Sequence, residues 1–428
     1  MSPAEALAAA MIDVAARHGY AGASVARVLE RSGVSRQAFY RHYSSREDCF
    51  LAAYRCAAAE IGERLREAVR QSAPAERPEA TIAALLRAVD ERPAAARLLL
   101  VDALGACAAV RGEHERQLSG IERSIERFLR VPQAPALRIP PVALLGGICG
   151  VLSGRVLSAE AGGEEDLFAG LVAWVRSYES GEIGAPAWPG EDRSGPPAAP
   201  GHGGRPAGAT EVRLLPRGRN ALPPAAASGA RHSRILAATI RQAAARGYGS
   251  LTVTDIVADA RVPRSSFYAH FSGKEEAFLA AQRIALRESI AVAAADYVTG
   301  STWPERVWSG LAALLEYVAT HPAHAYLGFV EVHAAGGAAI AQHEEMRGAY
   351  TLFLAEGYRQ HPRADELPPL CSQAVAGAIE AIVRRYVVAG QVDRVREALP
   401  QCAYVALAPF IGSEAALSRV KESARAAG

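Results

Sequence analysis

The chain lacks most of what would announce a chemistry. Its 428 residues contain no Walker loop, no Gly-x-Ser-x-Gly elbow, no His-Glu-x-x-His and no dinucleotide fingerprint. An enzyme built from it would have neither nucleophile nor phosphate cradle, so a non-enzyme without cofactor is expected. The six cysteines (Cys49, Cys56, Cys107, Cys149, Cys371 and Cys402) never form a Cys-x-x-Cys pair. That argues against a zinc module and a disulfide framework and for reduced, mostly packed thiols. No segment approaches the ~20 unbroken apolar residues of a membrane span. No basic stretch at the N-terminus leads into an apolar run, so a cytoplasmic protein without membrane partners is expected. A net charge of only +2 removes bulk basicity as an argument for nucleic acid, and any such role must rest on local charge.

What remains is rich in alanine and half hydrophobic, with apolar residues recurring at three- and four-residue spacings. This reads as helix almost throughout, with no convincing run of strands. The length predicts two to four domains. From about Gly181 to Ala230 proline and glycine take over, as in "GAPAWPGEDRSGPPAAPGHGGRPAGA", which cannot sustain helix or core and marks a linker. The blocks on either side are the same block twice. "HGYAGASVARVLERSGVSRQAFYRHYSSREDCFLAA" (His18 to Ala53) aligns without a gap with "RGYGSLTVTDIVADARVPRSSFYAHFSGKEEAFLAA" (Arg246 to Ala281). Weaker matches follow between "ERPAAARLLLVDA" and "THPAHAYLGFVEV", and between "PPVALLGGICGVLSGRVL" and "PPLCSQAVAGAIEAIVRRYV". The duplication therefore covers both halves.

Within the repeat, Ser250 or Thr252 can cap a short helix reaching about Asp259, a turn follows at "ARV", and a second short helix starts near Pro263 with Phe267 and Phe271 on its buried edge. In the first copy the same parts are Ser24, Val25 and Val28, the turn "SGV", and Phe39 with Tyr43. Two short helices joined by a tight turn make a helix-turn-helix. The side chains not needed for the core are Arg36, Gln37, Tyr40, Arg41 and His42 in one copy and Arg264, Ser265, Ser266, Tyr268 and His270 in the other. Arginine and glutamine reach base edges bidentately, whereas Ser, Tyr and His suit phosphate oxygens. A solvated polar face is the plain alternative, but it does not explain why Arg-x-x-Phe-Tyr-x-His occurs twice.

On these residues the chain resembles the TetR-type transcriptional regulators, whose N-terminal domain is a DNA-binding head. The resemblance implies an all-α fold of two tandem units, each a helix-turn-helix head plus a helical regulatory and dimerisation domain, packed as an intrachain pseudodimer. The implied divisions are 1–53 and 54–180 for the first unit, 181–228 for the linker with a basic arm, and 229–281 and 282–428 for the second. It also implies that Arg36, Gln37 and Ala38, and Arg264 to Ser266, face bases, with Ser24, Ser35, Arg41 and Thr252 completing the DNA-facing set. Tyr40, His42, Tyr268 and His270 would touch the backbone. Arg46 and Lys274 would meet phosphate at the N-terminus of the next helix, where dipole and cation act together. Arg213, Arg217 and Arg219 in "EVRLLPRGRNALPP" resemble the arm that precedes the first helix in some members, suited to an A·T-rich minor groove or else a solvated linker.

The copies are not equivalent. Residues 1–50 hold six Arg against five acids, whereas 211–278 hold ten Arg or Lys against five, so the second head should carry more of the salt-dependent affinity. The first begins with "SPAE", in which Ser2, Pro3 and Glu5 read as cap, first-turn proline and capping-box acid. Gly33 occupies the turn of the first copy, and Arg261 stands in its place in the second, where a positive φ costs about 1 kcal/mol. Beyond the heads, "REDCFLAAYRCAAAEIGERLREAVRQ" reads as one long helix with Phe50, Tyr54, Ile61, Leu65 and Val69 inward. Effector-pocket candidates are Leu100, Leu104, Ile125, Phe128 and Ile148 in the first half, and Trp308, Tyr317, Tyr326, Phe329, Tyr350, Phe353 and Tyr386 in the second. His321, His324 and His333 with Glu331 invite a metal site, but His321 precedes a proline at a helix start, where capping and solvation account for it, and no metal is expected.

The reading is a DNA-binding transcriptional regulator, a repressor responsive to a largely apolar small molecule. Its partners are double-stranded DNA and its own second half, joined through Pro141 to Tyr178 against Pro369 to Phe410. About 50 flexible residues span about 40 Å, enough for heads about 34–36 Å apart. The alternatives are a four-headed dimer of chains and a ligand-binding or protein-interaction module whose heads no longer bind DNA.

Overall fold

A computed structural model of the chain describes residues 2–129, 137–158, 164–179, 224–361 and 367–427. The expected linker up to residue 223, with Arg213, Arg217 and Arg219, lies outside the described residues. Among those described, the only β feature is an isolated bridge between Leu137 and Glu179. The first half runs α1 (Pro3–Gly22), α2 (Val25–Ser32), α3 (Arg36–His42), α4 (Arg46–Gln71), α5 (Arg77–Glu91), α6 (Pro93–Leu100), α7 (Ala108–Leu129), α8 (Pro141–Ser158) and α9 (Glu164–Arg176). The second opens with α10 (Pro224–Arg246), α11 (Val253–Ala260), α12 (Arg264–Tyr268), α13 (Lys274–Tyr297), α14 (Trp303–Thr320) and α15 (Pro322–Tyr326). After a π-helical stretch, Leu327–Glu331, come α16 (Val332–Ala334), α17 (Gly337–Tyr350), α18 (Gly357–Gln360), α19 (Leu370–Val388), α20 (Leu399–Ile411) and α21 (Ser413–Ala427).

Local chemistry sets the boundaries. Ser2 Oγ accepts from Glu5 N while Ser2 N donates to Glu5 Oε2 at 2.7 Å, which closes the capping box at α1. α4 spans the whole predicted helix, with Phe50 and Tyr54 buried and Ile61, Leu65 and Val69 half-buried. One boundary differs from expectation. α10 begins at Pro224, inside the stretch assigned to the linker, because proline at a helix start is followed there by three alanines, the strongest helix formers.

Each head has its own core: Leu7, Met11, Val28, Phe39 and Phe50 in the first, and Ile235, Leu236, Ile256, Phe267 and Phe278 in the second. A third core is shared. It joins Ile82, Leu86, Leu144, Leu152, Trp174 and Tyr178 of the first half to Trp303, Val375, Ile382, Tyr404 and Phe410 of the second. At its centre α8 crosses α19 at a glycine-lined contact, where a Cβ on Gly146 would lie 2.2 Å from Ala381 Cβ and one on Gly377 would lie 3.0 Å from Gly146 O. Trp174 closes over Gly147, and Tyr178 Oη donates to Val405 O at 2.9 Å. Ion pairs flank the crossing: Arg384 to Glu115 at 2.7 Å, Arg385 to Glu122, and Arg138 to Glu414 at 3.0 Å. α8, of mean hydropathy 1.5, comes nearer to membrane-span length and composition than the sequence reading allowed. Here its apolar surface meets α19, α6 and α7.

The halves also touch beside the heads. The 3₁₀ turn Asp102–Gly105 lies against α16, with Gly105 packed on His333 O. Asp102 is buried with only Arg97, at 3.6 Å, beside it, and burial, which Arg97 only partly offsets, lifts its carboxyl to about 7.

Two outcomes follow. Gly377→Leu forces α8 and α19 apart and lowers the apparent thermal midpoint, at a cost of about 1–3 kcal/mol. Because the folded-state pKa of Asp102 exceeds its unfolded value, its favourable contribution is complete below about pH 4 and lost as pH rises through about 7. Asp102→Asn is therefore more stable than the parent by a few kcal/mol in denaturant titrations at pH 8, and the difference closes towards pH 4.

Candidate nucleic-acid interface and ligand cavity

The two heads are built on matching interactions. Tyr20 meets Phe50 edge-on with centroids 4.9 Å apart, and Tyr248 meets Phe278 in the same way at 5.0 Å. The ion pair joining the first two helices of each head has exchanged its signs: Asp13 on α1 accepts from Arg31 on α2, whereas Arg241 on α10 donates to Asp259 on α11 at 3.0 Å. An interaction has been kept while its residues changed places.

On the second helix of each motif, Arg36 lies 5.7 Å from the centre of the Tyr40 ring, and Arg264 lies 5.7 Å from that of Tyr268. Arg264 also donates to Tyr268 Oη at 3.3 Å. Both tyrosines are half exposed although large and apolar, which places an aromatic and a guanidinium together on the outer face of each helix. Gln37, Arg41 and His42 share that exposure in the first head, as do Ser265 in the second, while Ala38 and Ser266 are half-buried. Ser24, Ser35 and Thr252 are N-caps, their hydroxyls accepting from Arg27 N, Ala38 N and Asp255 N.

Three expected contacts sit differently. Arg46 stacks over Tyr20 at 4.5 Å and donates to Tyr20 O and Ala21 O. Lys274 lies 4.5 Å from the Tyr248 ring and donates to Tyr248 O and Leu251 O, each at 3.1 Å. Arg46 thus ties the start of α4 to the end of α1, Lys274 ties the start of α13 to the segment after α10, and burial lowers the Lys274 pKa. His270 packs against His232 of α10, with centroids 5.3 Å apart, whereas its counterpart His42 is exposed.

Arg261 does adopt the left-handed conformation, φ 52° and ψ 48°, matching Gly33 at φ 68° and ψ 6°. Among the described residues it is the one non-glycine with positive φ. Arg234 of α10 donates to both Ala260 O and Arg261 O, satisfying carbonyls that the end of α11 leaves open and offsetting the strain. Arg261→Gly should raise stability by about 0.5–1 kcal/mol in thermal unfolding while Arg234 keeps its place; a fall would show that Arg261 makes a favourable contact that outweighs its backbone.

The second half encloses a cavity of about 140 Å³. Of the aromatic candidates, Tyr317, Phe329, Tyr350 and Phe353 line it, whereas Trp308, Tyr326 and Tyr386 pack against neighbouring cores. Of the first-half candidates, Leu100, Ile125 and Ile148 pack on the shared core, and Leu104 and Phe128 are half-buried. The cavity has a simple origin. At the places where α4 has Tyr54, Ile61 and Leu65, α13 has Gln282, Ser289 and Ala293, and all three line it. Selecting candidates by aromaticity missed them; the internal alignment contains the signal as loss of volume.

The cavity wall also holds a charged group that aromaticity does not reveal. His343 Nε2 meets Glu380 Oε1 at 2.9 Å, and Arg347 pairs with Glu344 and lies 3.7 Å from Glu380. Burial alone would raise the Glu380 carboxyl, but His343 and Arg347 outweigh it and hold it near 2. Arg347 also donates to Gly150 O of α8 at 3.0 Å, so one side chain touches both the cavity and the glycine crossing. Of the residues considered for metal, His321 and His324 stack near Tyr317, His333 lies beside His343, and Glu331 accepts from Tyr248 N at 2.7 Å. Among the described residues no three His, Cys, Asp or Glu side chains stand where they could hold a metal ion.

A family model described as bacterial regulatory proteins, tetR family, matches residues 7–53 and again 235–281. Among solved structures, a transcriptional regulator from Pseudomonas aeruginosa PAO1 is 20% identical over 42% of this chain and 93% of its own, with a TM-score of 0.37. A transcriptional regulator from Rhodococcus sp. Rha1 is 29% identical over 37% and 86%, at 0.32, and the fatty acid degradation regulator FadR from Bacillus halodurans is 16% identical over 40% and 94%, at 0.34. No curated protein matches the chain. The matched residues lie in the two heads, from α1 into the start of α4 and from α10 into the start of α13: each head is similar to the tetR family of bacterial regulatory proteins, and the chain carries that match twice.

Proposed function

We propose that the chain is a ligand-responsive, operator-binding repressor that acts as its own dimer, reading two unlike half-sites with two unlike heads. The observation that carries this reading is the pairing of α8 with α19, a close interhalf contact made by helices towards the end of each unit and buried in one shared core. A family unit that needs a second copy to place two heads on successive major grooves finds that copy in the same chain. The outer faces of α3 and α12 differ, "SRQAFYRH" against "PRSSFYAH", so the half-sites differ too.

In this reading Arg36, Gln37, Arg264 and Ser265 approach base edges. Tyr40, Arg41, His42 and Tyr268 meet the sugar-phosphate backbone, and the arm residues Arg213, Arg217 and Arg219 add minor-groove contact beside the more basic second head. Arg46 and Lys274 act chiefly by fixing the start of the long helices, which presents the helix N-terminus to phosphate. A ligand in the cavity lowers DNA affinity by binding better to a head spacing that does not fit the operator.

Selection of bound sequences from random DNA tests the reading. The expected operator has two dissimilar half-sites, bound by one chain of 45.1 kDa. Arg36→Ala relaxes selection at one half-site and Arg264→Ala at the other, each at about 1–3 kcal/mol, with the larger loss from Arg264→Ala across a salt series. A palindrome bound by two chains favours the four-headed alternative, and no enriched sequence favours heads that have left DNA binding.

A further inference from the structure

Two residues of the cavity wall each hold a buried polar side-chain atom without a partner. Gln282 is fully buried, and its Nε2 donates to Ala339 O at 3.1 Å. That bond fixes the amide and leaves Oε1 without a hydrogen bond. His343, 6% exposed, uses Nε2 on Glu380 and leaves Nδ1 open. Such groups cost about 1–3 kcal/mol each when nothing answers them. Both belong to residues that line the cavity, and the rest of its surface is almost wholly apolar.

Charge narrows the class of molecule that would answer them. The cations at the wall, Arg347 and His343, are already matched by Glu344 and Glu380, and Arg347 is further engaged by Gly150 O. A buried carboxylate ligand would add an unmatched negative charge beside an amide oxygen that can only accept. An ammonium would add an unmatched positive one. A hydroxyl donates to an amide oxygen and accepts from a ring N–H, without adding charge. Size gives a second limit: at roughly 10–15 Å³ per water-sized group, the cavity holds on the order of ten non-hydrogen atoms.

Resting on the reading of this cavity as the effector site, we propose that its ligand is an uncharged, mainly apolar alcohol or phenol of about that size, anchored by its hydroxyl on Gln282 Oε1. The aromatic wall of Tyr317, Phe329, Tyr350 and Phe353 receives the apolar body. The first half offers no equivalent anchor, since the position of Gln282 is filled there by Tyr54, whose Oη is hydrogen-bonded to His114 at 3.1 Å.

Calorimetric titration of the full chain with 1-octanol, octanoate and octylammonium at pH 7.5 tests this. The expected result is one 1-octanol per chain, with both ions at least about tenfold weaker. Gln282→Leu weakens 1-octanol about three- to tenfold, the worth of one hydrogen bond. Gln282→Glu, which puts a carboxylate at the anchor, moves the preference to octylammonium. Octanoate binding as tightly as 1-octanol overturns the proposal, as does an unchanged order of affinities in both Gln282 variants when circular dichroism shows them folded. If no octyl compound binds, and the cavity-filling Leu314→Trp variant behaves as the parent, the cavity itself is not a ligand site and the underlying reading fails with it.

Discussion

Everything distinctive in this molecule depends on how closely α8 and α19 approach. Gly146, Gly147, Gly150 and Gly377 remove the side chains that would hold the two backbones apart, and the resulting fit leaves no room for even one added methyl group at Gly146. Close approach multiplies dispersion contacts that are individually small. It also buries Trp174 and Tyr178 of one half beside Tyr404 and Phe410 of the other, so that the shared core is complete only with both halves. The crossing is joined to the long helix of the first head through α6 and α7, which pack on both α8 and α4, and to that of the second through α17, which packs on both α19 and α13. The ion pairs at its margins, Arg384 with Glu115 among them, are partly shielded, and the cost of desolvating them offsets much of their attraction.

The same crossing explains why one half can be hollow. Once the shared core carries the stability of both units, the second can lose the volume of Tyr54, Ile61 and Leu65 at the matching places on α13 without losing its fold. Large-to-small changes of that kind cost a few kcal/mol each in a core that cannot compensate. What occupies the edge of that hollow is a balanced set of charges, one of which, Arg347, reaches back to α8. Arg347 therefore belongs both to the cavity wall and to the margin of the crossing, which is the contact that the proposed reading uses to connect a ligand to the heads.

The sequence made the heads legible and the cavity largely illegible, for physical reasons. Caps, turn residues and aromatic spacing are local, and local rules placed α2, α3, α11 and the whole of α4. They failed at Pro224, where the linker composition of the preceding residues masked the helix-forming run that follows it. The pocket is a matter of absent volume, and a search for large aromatic residues finds core as readily as lining; Tyr326 and Tyr386 are core. Arg46 and Lys274 show the converse limit: a cation at a helix N-terminus looks free in sequence, and only the fold reveals the carbonyls that engage it.

Comparison of the two heads separates what the scaffold requires from what it leaves free. Where a scaffold contact is needed it survives even complete exchange of its residues, as with Asp13–Arg31 and Arg241–Asp259. Where strain has entered, as at Arg261, a neighbour has come to offset it: Arg234 holds the carbonyls of that turn. No such compensation links the exposed faces of α3 and α12, where Gln37 faces Ser265 across the alignment and charge differs between the heads. In two identical chains a change on that face alters both half-sites at once, and each gain at one is matched by a loss at the other unless the DNA changes symmetrically. In the proposed reading fusion removes that coupling, so each face follows its own half-site while the scaffold beneath stays the same.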